Sequence, residues 1–418
     1  MKKALLLLLT FALIAAIAAC APAEPADPAG GSAPASEQTA APETTAAPIE
    51  EDPFDVPADM DGIRQKTIEY FEAMANVKWV APTRMDYTQS SAITTKLVYE
   101  KGRTYYGLPY SSRRQPGVSL GEFEDYLDEK RVYNGPLEYK DLIGGDCGSM
   151  RRAWAYGGAL CGFGMKLEDW ELFVYKNIMN NKQPAIVKIG SYDDSHFVDD
   201  IPSVECVMAY NEPEVMYESY ALLKSCDLIG SRFRITATSK GCTQHVRMLV
   251  KDAEVFRLGN GKIAPSKSYI TYSEQTSTMR TVDGKNTTWL LNEQVSFSTL
   301  LSGGYVPLSI ASLQQTEVTK PVMTASGIST PESFVSSSVL EGTVECNYNI
   351  FETEITVTDK DGNVVSHVKN YPYALKATLS ELTLSTPVSE LPAGDYHLKA
   401  TATIGFGTKT IAEFDFTK

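Results

Sequence analysis

A stretch without a single basic side chain sets the first limit on how this chain can fold. Between Cys20 and Arg64 there is no lysine or arginine, whereas ten Asp and Glu residues, from Glu24 to Asp61, carry negative charge. The same stretch is made mostly of Ala, Pro, Thr, Ser and Glu and has almost no large apolar side chains, so it cannot bury enough surface to offset the entropy of ordering it. Residues 20–58 are therefore expected to form a disordered acidic tether. At about 3.3–3.6 Å per residue its ~38 residues would reach on the order of 130 Å taut, and nearer ~35 Å as a relaxed coil.

Ahead of the tether, Lys2 and Lys3 precede an apolar run from Ala4 to Ala19 that is too short to cross a bilayer core and has the layout of an export signal. The run ends in Ile17-Ala18-Ala19-Cys20, which resembles the bacterial lipobox: small residues suit the signal peptidase, and the new N-terminal Cys20 carries diacylglycerol on its thiol. Residues 1–19 are expected to be a lipoprotein signal peptide and Cys20 the lipidation site. The protein would then be extracytoplasmic, anchored through Cys20 to the outer face of the cytoplasmic membrane. Plain secretory cleavage after Ala19 is the alternative. Loss of Lys2 and Lys3 takes the formal charge from −14 to −16, of which the ten acidic residues between Cys20 and Arg64 contribute −10. A chain this acidic repels phosphate backbones, so nucleic acid is not an expected partner.

The remaining length exceeds what one hydrophobic core usually serves, so two folded units are expected, with a boundary near Gln315 to Pro321. Residues 59–314 mix helical and strand patterns, and residues 315–418 read almost wholly as strands and turns. Between Gly62 and Asn76, Ile63, Ile68, Phe71 and Met74 recur at helical spacing, and Trp79 soon after reads as a core residue. In the last hundred residues, Glu354 to Thr358 alternates, Asp361-Gly362-Asn363 turns the chain, and Val364 to Val368 alternates again, the pattern of a hairpin. Further short strands at similar spacing point to a β-sandwich of immunoglobulin-like kind. A calcium loop over Asp359-Lys360-Asp361-Gly362-Asn363 is disfavoured, because Asn370 stands where the twelfth ligand, a Glu, would be.

Nucleophile chemistry has one well-placed candidate. Cys147 follows Gly144-Gly145-Asp146 and precedes a helix-prone run, so its thiol would sit at a helix N-terminus, where unpaired N–H groups favour the thiolate and can bind an oxyanion. A thiolate nucleophile needs a base, and imidazole fits. Of four histidines, His367 and His397 belong to the strand-rich end, His196 lies in a polar Asp193-Asp194-Ser195 loop, and His245 opens an alternating strand. An imidazole in that role needs an acceptor on its other nitrogen. The strand Ser268 to Gln275 offers Glu274 or Gln275, which point to opposite faces, so only one can serve. Cys161 is the rival nucleophile, but it follows the helix-prone run and lacks the preceding Asp. Cys226 and Cys242 flank two strands expected to be adjacent and are candidates for a disulfide.

In order along the chain, Tyr106-Gly107-Leu108-Pro109-Tyr110-Ser111, Asp146-Cys147, Leu223-Lys224-Ser225-Cys226-Asp227-Leu228, His245-Val246 and Tyr272-Ser273-Glu274 together resemble the NlpC-type family of papain-like cell-wall cysteine peptidases and the related CHAP branch, over roughly residues 100 to 280. The resemblance implies an α+β fold, a papain-like peptidase domain over residues 59–314 followed by the all-β domain. It implies Cys147 as nucleophile, His245 as general base and acid, Glu274 as the orienting residue, and Tyr110 and Asp146 at the substrate. It also implies hydrolysis of amide bonds in peptidoglycan stem peptides, the expected partner besides the membrane. This chain reads Asp146-Cys147-Gly148-Ser149 where the family usually has Asp-Cys-Ser-Gly, and it has Cys226 where Gly is usual. The first departure motivates a second expectation, a catalytically inactive wall-binding or scaffold lipoprotein of the same fold. A third keeps the triad and passes the acyl group to an amine. No metal or organic cofactor is expected, since neither HExxH nor CxxC spacing occurs.

Overall fold

The computed structural model describes residues 53–89, 97–111, 119–144, 186–197, 201–234, 236–239 and 242–418, all within one compact unit. Cys20, Asp146, Cys147 and Cys161 lie outside the described residues. Order begins earlier than the composition of the tether implies. Phe54 and Val56 pack against the core, the amide of Asp55 donates to the carbonyl of Phe406 at 2.9 Å, and the Asp55 carboxylate pairs with Lys66 at 2.9 Å. These apolar and polar contacts hold residues 53–58, which the sequence assigns to the tether, against the fold.

Helix α1 (Met60–Asn76) starts where Asp59 accepts from the amide of Gly62 at 2.9 Å, an N-cap that satisfies one of the otherwise unpaired first-turn donors. Its buried face, Ile63, Ile68, Phe71 and Met74, is the stripe that the spacing predicts. Just beyond it Trp79 is fully buried, ringed by Tyr99, Tyr105, Phe123 and Tyr133 at 5.2–6.2 Å, and its indole N–H donates to the Gly107 carbonyl at 2.9 Å.

Chain order through the larger part runs β1 (Lys78–Val80), β2 (Met85–Asp86), β3 (Val98–Tyr99), β4 (Thr104–Tyr106), helix α2 (Leu120–Glu124), β5 (Ile186–Lys188), helices α3 (Ser203–Tyr210) and α4 (Pro213–Tyr220), β6 (Leu228–Phe233), β7 (Thr243–Leu249), β8 (Tyr269–Val282), β9 (Lys285–Ser296), helix α5 (Phe297–Ser302) and β10 (Val306–Ile310). Eight of the strands form one sheet in the order β1-β4-β9-β8-β7-β6-β10-β5. The β4–β9 contact is parallel and the other pairs are antiparallel. The long β8–β9 hairpin turns through Asp283 and Gly284, both at positive φ (48° and 76°), the arrangement that matches the twist of the paired strands.

Strand β6 and helix α1 are joined through buried charge. Arg64 pairs with Asp227 at 3.3 Å and donates to the carbonyls of Ser225 and Leu313, while Asp227 also accepts from Ser309 at 2.6 Å and from the Lys224 amide at 2.8 Å. Between Ser225 and Asp227, Cys226 is fully buried in the left-handed region (φ 65°), a conformation that glycine adopts most readily. Cys226 and Cys242 are not bonded to each other. The Cys226 thiol donates instead to the Arg64 carbonyl at 3.0 Å, so the suggested disulfide is replaced by a hydrogen bond to α1.

The last hundred residues form two more sheets. β11 (Met323–Ser326), helix α6 (Pro331–Ser337), β12 (Thr343–Ile350), β13 (Glu352–Asp359), β14 (Val364–Asn370), β15 (Ala374–Thr378), β16 (Asp395–Ile404) and β17 (Gly407–Thr417) pair as β11-β12-β15 and β14-β13-β16-β17. Along β13 and β16 every second residue is buried, including Ile355, Val357, Leu398 and Ala400, so one face of the four-stranded sheet lies on the core. The β13–β14 hairpin is present, and Asp359 explains its turn. Its carboxylate accepts from the amides of Asp361 and Asn363 at 2.9 Å, with Gly362 at φ 82°.

Candidate functional site

Alternation along β7 puts His245 and Arg247 on one face and the buried Val246 and Met248 on the other. The pairs Met248↔Ser273 and Leu249↔Tyr272 tie β7 to β8 antiparallel, and one step further along this register Arg247 comes opposite Glu274. Beside Glu274 the β8–β9 ladder slips, and Asn292 takes a positive φ of 58° while its amide donates to Ser273 Oγ at 3.1 Å. An irregularity of this kind bends a strand and re-aims the side chains next to it.

The outcome is a compact polar group. His245 Nε2 lies 2.5 Å from Glu274 Oε2, and Arg247 Nε donates to the same oxygen at 2.8 Å. Glu274 is buried, with a side chain 6% exposed, and His245 keeps 19% of its side chain open. Burial alone would push the Glu274 carboxyl up. The hydrogen bond from His245 and the charges of His245 and Arg247 outweigh it and hold the pKa at about 2. Gln275, one residue on, faces the other way: its amide donates to the Leu108 carbonyl at 2.8 Å and to Thr288 Oγ1 at 3.0 Å. Of the two candidates on this strand, Glu274 meets the imidazole and Gln275 supports the opposite face.

Arg247 is the residue that the sequence reading passed over, although its position two residues beyond His245 on the same face was the available signal. Its guanidinium carbon stands 4.4 Å from the Tyr272 ring centre and 4.7 Å from that of Tyr305. Tyr305 is fixed in turn, because its carbonyl accepts from the hydroxyl of Tyr220, which packs edge-on against Phe297 of α5. Burial works against the arginine's charge, but the attraction of Glu274 reverses the balance and raises its pKa. Burial likewise raises Tyr272, to about 12, against the opposing charge of Arg247, so its hydroxyl stays protonated at neutral pH.

Tyr110 lies on the segment after β4, half-buried against the core, with its amide donating to the hydroxyl of Tyr99 at 3.3 Å. That segment is built on close approaches. Gly107 has φ 79°, and a Cβ there would lie 2.3 Å from the Trp289 ring; a Cβ on Gly144 would lie 2.1 Å from the carbonyl oxygen of Pro109. The Leu108 carbonyl between them accepts from Gln275 and from the Trp289 indole. His196 stands apart from this group, stacked on Tyr210 at 3.8 Å and 3.9 Å from Asp193. In the terminal sheets His367 pairs with Glu354 at 2.6 Å, and His397 lies between Asp415 and Glu413 at 2.8 and 3.0 Å.

Among the described residues no cluster of His, Cys, Asp and Glu is arranged to hold a metal ion, and no helix is long and apolar enough to cross a membrane. No family model and no curated protein matches the chain. A solved structure, of a tetra-tandem repeat in the extending region of a large adhesion protein, matches at 13% identity with a TM-score of 0.18. The match covers 47% of this chain and 42% of that one, so the chain spans less than half the length of that neighbour. At that TM-score the likeness carries no argument about fold or activity.

Proposed function

We propose that the chain is a lipid-anchored extracytoplasmic cysteine hydrolase that cleaves amide bonds in peptidoglycan stem peptides, with Cys147 as nucleophile and His245 and Glu274 as its proton-carrying pair. The observation that carries the reading is the partly open imidazole of His245 held at 2.5 Å by a buried, ionised carboxylate on the neighbouring strand. Such a pair orients an imidazole and stabilises it once protonated, the service that a thiol nucleophile requires. Cys147 follows Gly144 on the Pro109 corner by three residue steps, about 11 Å at full stretch. The antiparallel run β6-β7-β8 beside a helical segment, and two further sheets with buried faces, also suit a papain-like domain followed by an immunoglobulin-like sandwich.

Because Nε2 is engaged with Glu274, proton transfer falls to Nδ1. The Cys147 sulfur gives its proton to Nδ1 and attacks the scissile carbonyl carbon; backbone N–H groups near Cys147 stabilise the oxyanion. As the tetrahedral intermediate collapses, the C–N bond breaks and Nδ1 passes its proton to the departing amine. Water then attacks the thioester, giving its proton back through His245, and releases the carboxylic acid with the thiol restored. Asp146 and Tyr110 are assigned to substrate contact, and Cys20 to the lipid anchor.

Digestion of purified sacculi and muropeptides followed by mass spectrometry tests the proposal. The parent protein should release defined stem-peptide fragments, and Cys147→Ala should release none. A parent protein that releases nothing would turn the reading to a wall-binding lipoprotein without turnover, and fragments from both parent and Cys147→Ala would remove Cys147 as nucleophile.

A further inference from the structure

Two donors converge on one oxygen at Glu274, and that is more than orientation of an imidazole needs. His245 and Arg247 both bond Oε2, at 2.5 and 2.8 Å. A buried carboxylate with only an imidazole beside it would favour imidazolium strongly, since the alternative leaves a desolvated negative charge uncompensated. An imidazole locked in that state cannot accept a proton from a thiol. A permanent positive charge on the carboxylate removes this bias and leaves the hydrogen bond in place.

We propose that Arg247 is a positioning residue that compensates the charge of Glu274, so that Glu274 orients His245 without trapping it in its protonated form. The role rests on His245 acting as the proton carrier proposed above. Arginine suits it better than lysine, because a planar guanidinium fits the slot between the Tyr272 and Tyr305 rings and presents Nε at a fixed angle. Other described groups near the pair do not supply the charge. On β6 the residues opposite His245 and Arg247 are Ser231 and Ile229, both neutral; β8 contributes Tyr272, the segment before β10 contributes Tyr305, and on β9 Glu293 stands across from Tyr272.

The test reads the imidazole, not turnover, so it stands apart from the fate of the hydrolase reading. With four histidines in the chain, the His245 ring signals can be assigned by NMR and followed against pH. In Arg247→Met, which keeps the slot filled, the His245 midpoint should rise by about one pH unit, a tenfold gain in proton affinity; Arg247→Gln serves equally if the methionine variant does not fold. Arg247→Lys should return the midpoint most of the way to that of the parent. In a Glu274→Gln background, Arg247→Met should raise the midpoint by clearly less than it does in the parent. An unchanged midpoint in the charge-removing variants, or a rise of the same size with Glu274→Gln present, overturns the proposal. If the parent cleaves no muropeptide, the hydrolase reading falls and these midpoints still decide the role of Arg247.

Discussion

Glu274 is ionised in spite of being 5% exposed, and its ionisation is therefore tied to the folded state. Its pKa of about 2 lies below the ordinary value of 4.5, so the pair contributes stability that is complete above about pH 5 and is lost as the pH falls from 4.5 towards 2. One pKa unit corresponds to 1.36 kcal/mol, which puts an upper bound of about 3 kcal/mol on this contribution. Urea unfolding of the parent between pH 7 and pH 2.5 should show that loss, and Glu274→Gln should show a smaller one. Equal losses in both proteins would mean that other carboxylates carry the acid sensitivity. The pairing of His245 with Glu274 was legible because an alternating strand declares which residues share a face. The motif on this strand ends at His245-Val246, whereas the i, i+2 rule continues to Arg247, the next residue on that face. Cys226 teaches the converse: it takes a left-handed φ of 65°, and nothing local to the sequence announced its bond to Arg64. A β-branched residue is poorly accommodated at such a φ. Cys226→Val should accordingly lower the unfolding free energy by about 2 kcal/mol or more, and Cys226→Gly by less.

At the scale of elements, helix α1 is held to the large sheet by charge as well as by its apolar stripe. Burial raises the Asp227 carboxyl even with Arg64, Ser309 and the Lys224 amide lowering it, so the ion pair sits where desolvation dominates. Removing one partner strands the other. Asp227→Ala should cost about 3–5 kcal/mol, and Arg64→Met combined with Asp227→Leu should recover much of that loss. A double variant as unstable as Asp227→Ala would show that the hydrogen bonds to Leu313, Ser309 and Lys224, not the charges, do the anchoring. The helix itself was legible from its 3.6-residue spacing, and the β13–β14 hairpin from its alternation around Asp361-Gly362-Asn363. The β8–β9 hairpin was not. Only Ser268 to Gln275 reads as a strand, yet β8 continues to Val282 through Thr276, Ser277, Thr278 and Arg280, a polar run without an alternating apolar face. The ladder with β9 breaks after Gln275↔Trp289 and resumes at Arg280↔Thr287, and Asp283-Gly284 is the turn signal that marks the strand's end.

For the whole molecule, the sequence suggests two folded units with a boundary near Gln315 to Pro321, and the described residues lie within one compact unit. The two regions are latched at α2. The Tyr371 hydroxyl donates to Asp125; Tyr373 OH accepts from the Ser119 amide at 3.2 Å and donates to Glu122 at 3.3 Å; and the Leu120 amide donates to Tyr70 of α1 at 3.0 Å. Asp55 adds a second tie, since it precedes α1 and yet its amide donates to the Phe406 carbonyl in the turn between β16 and β17, with Phe54 packed against the core beside it. These contacts rest on single hydroxyls and amides, most of them in loops or at helix ends, which have no periodicity to read, so a shift in composition near Gln315 was visible and the latch was not. If the latch couples the two regions, calorimetry of the parent should give one transition whose calorimetric and van't Hoff enthalpies agree. Tyr371→Phe with Tyr373→Phe removes the hydroxyl bonds and keeps the rings, a change worth on the order of 2–4 kcal/mol if each bond contributes about 1 kcal/mol. That variant should broaden the transition or divide it, with the strand-rich end and the eight-stranded sheet unfolding at different temperatures. Two resolved transitions in the parent would mean that residues 315–418 fold on their own account and that the hydroxyl contacts with α2 transmit no stability.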